Sequence, residues 1–276
     1  MIELTIASIA NAVEGVVHGD GQLLVTGSVE TDSRLVKNGS LFVAKPGENT
    51  DGHLFAVAAQ NAGAVAVIVE KLVENLAVPQ ILVKDSVLAL GALAKWVLAE
   101  IREHTDLKVI GITGSNGKTT TKNMLRAILS RVGKTIAPIE SYNNEVGAPY
   151  SILQADLETK YLVVEMGAGG PGSIKYLADI CRPDIGVVLK VGLAHVGEFG
   201  GIESTAKIKA ELANSLTETS KLILNADDAY VREMSDSTKA QCFWFGTSKE
   251  SNYQVSTVSL DINGTKFSIR LSLIHI

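Results

Sequence analysis

The sequence predicts an α/β fold with a mostly parallel sheet, divided into a small first domain over residues 1–84 and a larger second domain over 85–276 that opens with a linker helix at 85–104. Three observations carry this. Short β-rich apolar runs alternate with helical patterns, the signature of strands joined by helical crossovers. A glycine-rich turn ending in Lys118-Thr119-Thr120 joins one such run to one such pattern. A chain of 276 residues, 46% hydrophobic and 20% charged, is globular in composition and long enough for two cores.

In the first domain, Leu41-Phe42-Val43-Ala44, Val65–Val69 and Gln80–Val83 read as strands, because apolar and β-branched residues follow one another without a break. Phe55–Asn61 reads as a short helix closed by Gly63 in the position of a C-terminal cap. Asp85–His104 is a longer helix, started by either Asp85 or Ser86. Leu88, Gly91, Ala92, Lys95, Trp96 and Ala99 give it mixed faces. A new strand–helix series begins directly after it, which sets the boundary there. Its strands are Lys108–Thr113, Tyr161–Met166, Asp184–Lys190 and Lys221–Asn225. Its helices are Lys118–Arg131, Pro171–Asp179 with proline in the first turn, and Glu203–Ser215. From about Asn252 the pattern changes to polar–apolar alternation, with Asn263-Gly264 as a type I′ hairpin turn. The chain stops at Ile276 within a strand-like run, so the second domain is expected to be incomplete at its C-terminal end.

Several function classes are disfavoured. The formal net charge is −5 and lysines and arginines are dispersed, which argues against a nucleic-acid or anionic-membrane surface. No apolar run approaches the ~20 residues that a membrane helix requires. The start, Met1-Ile2-Glu3-Leu4-Thr5, lacks the basic and apolar regions of a signal peptide. Cys181 and Cys242 form no CxxC pair and read as ordinary thiols. A cytoplasmic, monomeric protein with no nucleic-acid partner and no membrane insertion is expected.

The strongest local signal is Gly111-Ile112-Thr113-Gly114-Ser115-Asn116-Gly117-Lys118-Thr119-Thr120, between a predicted strand and a predicted helix. Glycines let the backbone wrap around phosphates and present N–H groups, which the helix dipole reinforces. Lys118 would supply charge at the β- and γ-phosphates of ATP, and the Thr119 hydroxyl would hold Mg²⁺. The strict phosphate-loop pattern places glycine where Ile112 stands, so this is a variant loop. A glycine-rich turn with no ligand is the bland alternative; Lys-Thr-Thr at a helix start speaks against it.

That variant loop resembles the ATP site of the Mur ligases and their folylpolyglutamate synthetase relatives. Further segments resemble the members of that family that add D-alanyl-D-alanine. They are Ser141-Tyr142-Asn143-Asn144-Glu145-Val146-Gly147-Ala148-Pro149, Glu165-Met166-Gly167-Ala168 with Pro171-Gly172-Ser173-Ile174, and Ala194-His195-Val196-Gly197-Glu198-Phe199-Gly200 leading into Ala206–Glu211. Thr31-Asp32-Ser33-Arg34, Leu41–Gly47 and Asp51-Gly52-His53 are similar to that family's nucleotide-sugar domain. The motifs occur in the family's order and span nearly the whole chain.

The resemblance implies ATP-dependent ligation of D-alanyl-D-alanine to UDP-N-acetylmuramoyl-tripeptide, in peptidoglycan precursor synthesis, through an acyl phosphate. It implies that Gly114, Ser115, Asn116, Gly117, Lys118, Thr119, Thr120 and Asn225 contact ATP. Two Mg²⁺ ions would be held by Thr119, Glu165, His195 and a lysine carbamylated by CO₂. Lys118, Lys209, His195 and Glu165 would thus be the catalytic set. Both Lys207 and Lys209 fall in the right helix, two residues apart and so on different faces; the Lys-Ala-Glu context favours Lys209. Taken alone, Glu165 is also readable as a solvent-facing charge, His195 as filler, and Lys209 as a solvated helix lysine. Ser33, Arg34, Lys45, Asn49 and His53 are candidates for the uridine diphosphate end, and Asn143 and Asn144 for sugar-peptide or phosphate oxygens. The asparagine pair equally suits a turn before a helix, and Asp227 an N-cap.

The family normally continues through a Gly-x-His-Asn segment into a third domain that helps bind the incoming amine. Neither is found here, and Leu273-Ile274-His275-Ile276 departs from the family pattern. This chain is therefore expected to bind ATP weakly and to ligate poorly or not at all. Two competing readings remain: a ligase adding the third peptide residue, and a non-catalytic nucleotide-binding module.

Overall fold

The computed structural model describes residues 2–47, 50–138, 140–192, 200–262 and 264–271. Its helices are α1 (Ile6–Ala12), α2 (Ala56–Asn61), α3 (Ser86–His104), α4 (Lys118–Leu129), α5 (Gly147–Ile152), α6 (Ser173–Cys181), α7 (Ile202–Ser215) and α8 (Ala229–Glu233). The chain divides into two compact units, one of Met1–Leu107 with Val132–Leu162, the other of Lys108–Arg131 with Val163–Ile276.

The first unit holds a five-stranded sheet of β2 (Val16–His18), β4 (Val29–Glu30), β5 (Ser40–Val43), β6 (Ala64–Val69) and β7 (Gln80–Leu82), in the order β2-β7-β6-β5-β4. β4 to β7 are parallel and β2 is antiparallel at the edge. A separate antiparallel pair joins β1 (Leu4–Thr5) to β3 (Leu24–Val25). β5 and β6 read as unbroken apolar runs because they are covered on both faces: Leu41, Phe42, Val43, Val67, Ile68 and Val69 are at most 1% exposed. The helix at 56–61 closes as expected, with the Gly63 amide donating to the Gln60 carbonyl at 2.9 Å.

Helix 85–104, placed by the sequence at the head of the second domain, belongs to the first unit. Its stripe Leu90, Leu93, Ala94, Val97, Leu98 and Ile101 is buried, and it packs on α1 and α5. Asp85 is its cap, accepting from the amides of Val87 and Leu88 at 2.8 Å each. Residues 132–162 fall in the first unit for the same reason: α5 buries Ala148, Pro149, Ser151 and Ile152.

The second unit is built on β8 (Lys108–Thr113), β10 (Tyr161–Glu165), β11 (Ile185–Val188), β12 (Lys221–Asn225), β13 (Gln241–Gly246), β14 (Tyr253–Asp261) and β15 (Gly264–Leu271). The order is β15-β14-β13-β12-β11-β8-β10, and the first two residues of β10, which lie in the other unit, also pair with β9 (Thr135–Ile136). β8, β11, β12 and β13 are parallel, whereas β14 and β15 form an antiparallel ribbon. The turn expected at Asn263-Gly264 includes a residue outside those described. Pro171 lies just before α6, whose N-cap is Gly172, and not in its first turn. The α6 N-terminus is held from another helix: Glu211 on α7 accepts from the amides of Gly172 at 2.6 Å and Lys175 at 3.0 Å. Among the described residues, no helix is long and apolar enough to cross a membrane.

Candidate active site

Register brings the strand ends of the second unit level. Thr113 at the end of β8 pairs with Val188 of β11, which pairs with Leu224 of β12. The amide of Met166, after β10, donates to the Ile112 carbonyl at 2.8 Å, and the Thr113 hydroxyl donates to the Met166 carbonyl at 3.1 Å. Residues just past these strands thus share the carboxyl edge of the sheet, where open α/β sheets bind ligands.

The turn 114–117 leaves β8 there and enters α4. Gly117 caps the helix at φ +86°, a left-handed conformation that side chains avoid, and Gly114 has φ +155°. A Cβ on Gly114 would sit 3.0 Å from that of Leu189. Ser115 clasps the turn to the segment after β11: its amide donates to the Lys190 carbonyl at 2.8 Å. Its hydroxyl donates to the Gly192 carbonyl at 3.2 Å and accepts from the Gly192 amide at 2.8 Å. The turn is therefore a pre-shaped cradle at a helix N-terminus, suited to an anion. Lys118 is half-buried and folds back on it, donating from Nζ to the Gly114 carbonyl at 2.8 Å. Burial lowers its pKa, and Glu165 opposes that shift. Asn116 and Thr120 are exposed.

Glu165, at the end of β10, is 3% exposed. The Thr119 hydroxyl lies 3.0 Å from its Oε2 and 3.3 Å from its Oε1. Lys122, which sequence reasoning passed over, places Nζ 3.6 Å from the same Oε2. The only available signal was its spacing, one helical turn beyond Lys118. Hydroxyl and carboxylate oxygens converging beside a phosphate-type cradle fit Mg²⁺, which takes few protein ligands and completes its shell with phosphate and water. No group of three or more His, Cys, Asp or Glu side chains arranged for a metal occurs among the described residues.

Lys209 sits in the buried stripe of α7 with Thr205, Ile208, Leu212 and Ala213, whereas Lys207 is exposed. Burial, aided by repulsion from Lys118, lowers the Lys209 pKa to about 8. Asn225 is occupied by the fold: its Nδ2 donates to the Leu189 carbonyl at 2.8 Å and its Oδ1 accepts from the Asp227 amide at 2.9 Å. The cap of α8 is Asp228 and not Asp227. Asp228 accepts from the amides of Val231 at 3.1 Å and Val191 at 3.0 Å, so it also steadies the segment that supports the turn. His195 lies outside the described residues, as does Asn49.

The other candidates fall in the first unit. Arg34 is exposed, and its guanidinium grips Asp32, with Nε 2.9 Å from Oδ1; Asp32 is held down to about 2 by that contact. Ser33 is half-buried beside it, as is Lys45. His53 is buried with both ring nitrogens engaged. Nε2 accepts from the Glu70 amide at 2.9 Å, which assigns the ring proton to Nδ1, 2.5 Å from Asp51. His53 therefore shapes its loop. Asn144 Oδ1 accepts from the amides of Val146 and Gly147 at 3.3 and 2.8 Å, the turn-before-helix role, while Asn143 is half-buried. Burial raises the Tyr142 pKa, and Glu140, Glu30 and Asp32 add to the shift.

Comparison with known proteins identifies the family. Residues 112–275 match the Mur ligase middle domain, and residues 26–96 match the Mur ligase family, catalytic domain. The UDP-N-acetylmuramoyl-tripeptide–D-alanyl-D-alanine ligase of Mycobacterium leprae is 42% identical over 269 residues, covering 87% of this chain and 51% of that protein. The chain spans about half the length of the curated relatives it matches. A crystal structure of MurF from Acinetobacter baumannii superposes with a TM-score of 0.86 at 30% identity, over 98% of this chain and 61% of that one. MurF ligase from Thermotoga maritima, solved in complex with ADP, gives 0.77 at 30% identity, over 90% and 56%. With the middle-domain match alone extending over more than half of the sequence, the chain belongs to the Mur ligase family.

Proposed function

We propose that the second unit binds the triphosphate of ATP in the turn 114–120, where Thr119 and Glu165 would hold Mg²⁺. In this reading the protein joins D-alanyl-D-alanine to the tripeptide carboxylate of UDP-N-acetylmuramoyl-tripeptide. The observation that carries it is the Thr119–Glu165 contact of 3.0 Å at the mouth of a loop whose lysine is already turned inward. The substrates are those for which the relatives are named, and the ADP complex of the Thermotoga maritima enzyme supports the nucleotide.

In the first step a carboxylate oxygen forms a bond to the γ-phosphorus as the bridging β–γ bond breaks, giving an acyl phosphate and ADP. In the second, the amine nitrogen bonds to the acyl carbon, phosphate leaves, and the nitrogen loses a proton. Both reactants of the first step are anions. The Lys118 ammonium and the turn's N–H groups therefore contribute most, by offsetting charge at the phosphates. Bound Mg²⁺ would supply further charge neutralisation at the same oxygens. Ser33, Arg34, Lys45 and Asn143 are the first unit's candidates for the nucleotide-sugar end. ATP and a nucleotide-linked precursor are cytoplasmic metabolites, and we place the protein there. Titration of the 276-residue chain with ATP in the presence of Mg²⁺ tests the reading: Lys118→Ala should weaken binding at least tenfold, by roughly 1.4 kcal/mol or more. Equal affinity removes it. Phosphate release on offering D-alanyl-D-alanine, set against release with a single amino acid, separates this activity from addition of the third residue.

Lys209 is the residue proposed to carry a carbamate. Only a neutral amine attacks CO₂, forming the N–C bond as a C=O pair moves onto oxygen and the nitrogen releases a proton. A pKa of about 8 leaves on the order of a tenth of the side chain neutral at pH 7, against far less for an ordinary lysine. Carbon-13 NMR with labelled bicarbonate should show one carbamate signal, lost in Lys209→Arg and kept in Lys207→Arg. A signal surviving Lys209→Arg would overturn the assignment.

A further inference from the structure

The only buried residue of α4 is a lysine. Lys122 is 1% exposed, and its Nζ lies 3.6 Å from Oε2 of Glu165, itself nearly sealed from solvent. Thr119 shares that helix face three residues earlier and donates to the same oxygen. A helix covering a parallel sheet ordinarily turns leucine or isoleucine inward. A buried ion pair does not improve on that, because desolvating both charges offsets their attraction, and an apolar pair of equal volume is often as stable. Stability does not account for the choice of lysine.

Charge does. Glu165 faces Lys122 directly, and its charge acts on both Lys122 and Lys118, opposing the fall in pKa that burial causes in each. A divalent cation approaching Glu165 and Thr119 meets a carboxylate already shared with an ammonium, and a like charge a few ångströms away. A triphosphate in the cradle reverses that balance.

We infer that Lys122 is a positioning residue that holds the Glu165 carboxylate toward Thr119 and offsets its charge, so that the divalent ion is taken up with the triphosphate and not before it. The inference rests on the nucleotide reading above. Its chemistry is that of an electrostatic gate on one cation site, acting through Glu165.

The test uses Mn²⁺ as the probe, titrated into the 276-residue chain with and without ATP, protein-bound ion being measured by equilibrium dialysis against the same Mn²⁺ and ATP without protein. Wild type should bind Mn²⁺ weakly alone and much more tightly with ATP. Lys122→Met, neutral and similar in volume, should bind Mn²⁺ alone about tenfold more tightly than wild type, and the enhancement by ATP should shrink by the same factor. Lys122→Gln, which keeps a hydrogen-bond donor, should behave alike. Mn²⁺ affinity within twofold of wild type in both folded variants overturns the inference. So does loss of folding in both variants with recovery in Lys122→Met/Glu165→Gln, which would assign the pair to stability alone. A wild-type chain that takes up no Mn²⁺ even with ATP removes the nucleotide reading itself. Unchanged Mn²⁺ affinity in the variants beside intact ATP-dependent uptake removes the inference only.

Discussion

Glu30 shows at the level of one side chain what burial does to a charge. It ends β4, is 5% exposed, and its Oε2 has no hydrogen-bond partner among the described residues. Burial raises its pKa above 4.5, partly countered by hydrogen bonds from Ser28 and Tyr150. The folded state thus holds this proton more tightly than the unfolded chain. Stability is greatest below the ordinary glutamate value, falls as pH rises from there through the folded value, and is level above it. Glu30→Gln should abolish that slope and raise the melting temperature at pH 7–8 by roughly 2–4 °C, the effect of relieving about 1 kcal/mol at one buried carboxylate oxygen without a partner. Thermal melts at pH 4 and pH 8 check it; an unchanged slope contradicts it. Lys118, Thr119 and Glu165 were legible in the sequence because a spaced motif and a strand end announce them. Glu30 and Lys122 were not, because a charged residue reads as solvated until tertiary packing encloses it; His53 reads as a ligand candidate, and its burial with both ring nitrogens engaged comes only from packing.

Among the elements, β8 and β12 have the bounds the sequence predicts, since each is a short apolar run with polar ends. In the sequence α5 is legible only as an unbounded helix after a turn at Asn143-Asn144, because Gly147 and Pro149 themselves look like a turn and the helix is made by packing against α3. β13 escaped notice: Gln241–Gly246 carries its aromatic residues without alternation, and it is recognised only by its parallel register with β12. α6 depends on another helix for its start, because Gly172 has no side chain to cap with and Glu211 supplies the acceptors. Glu211→Gln should lower the melting temperature by roughly 2–4 °C, the effect of losing about 1 kcal/mol of capping. Faster amide exchange at Lys175 would localise the loss to that terminus; unaltered exchange there contradicts the assignment. The adjacent Lys209 and Lys207 differ only in which face of α7 they occupy, which spacing foresaw but could not orient.

For the whole molecule, composition and the order of motifs gave the class of fold, but the division into units is not a cut at one point in the sequence. The first unit takes 1–107 and then 132–162, because α5 packs on α3 across the intervening β8 and α4. A linear reading assigns neighbours in sequence to the same domain, and here contact overrules it. A chain ended at Leu107 should lack the native near-ultraviolet circular dichroism of the first unit, since α3 would expose the apolar surface that α5 covers. A cooperative melt from that shortened chain contradicts this.

The same interleaving dictates an order of events during synthesis. By the time Leu162 leaves the ribosome and the first unit has its last pieces, the whole of β8 and α4 has already emerged, carrying the turn and Lys122 but neither Glu165 nor the β11 segment that clasps it. For that interval the nascent chain carries Lys122 and Ser115 ahead of the residues they meet in the finished fold, and translation of some thirty further residues, to Gly192, supplies both Glu165 and the clasp.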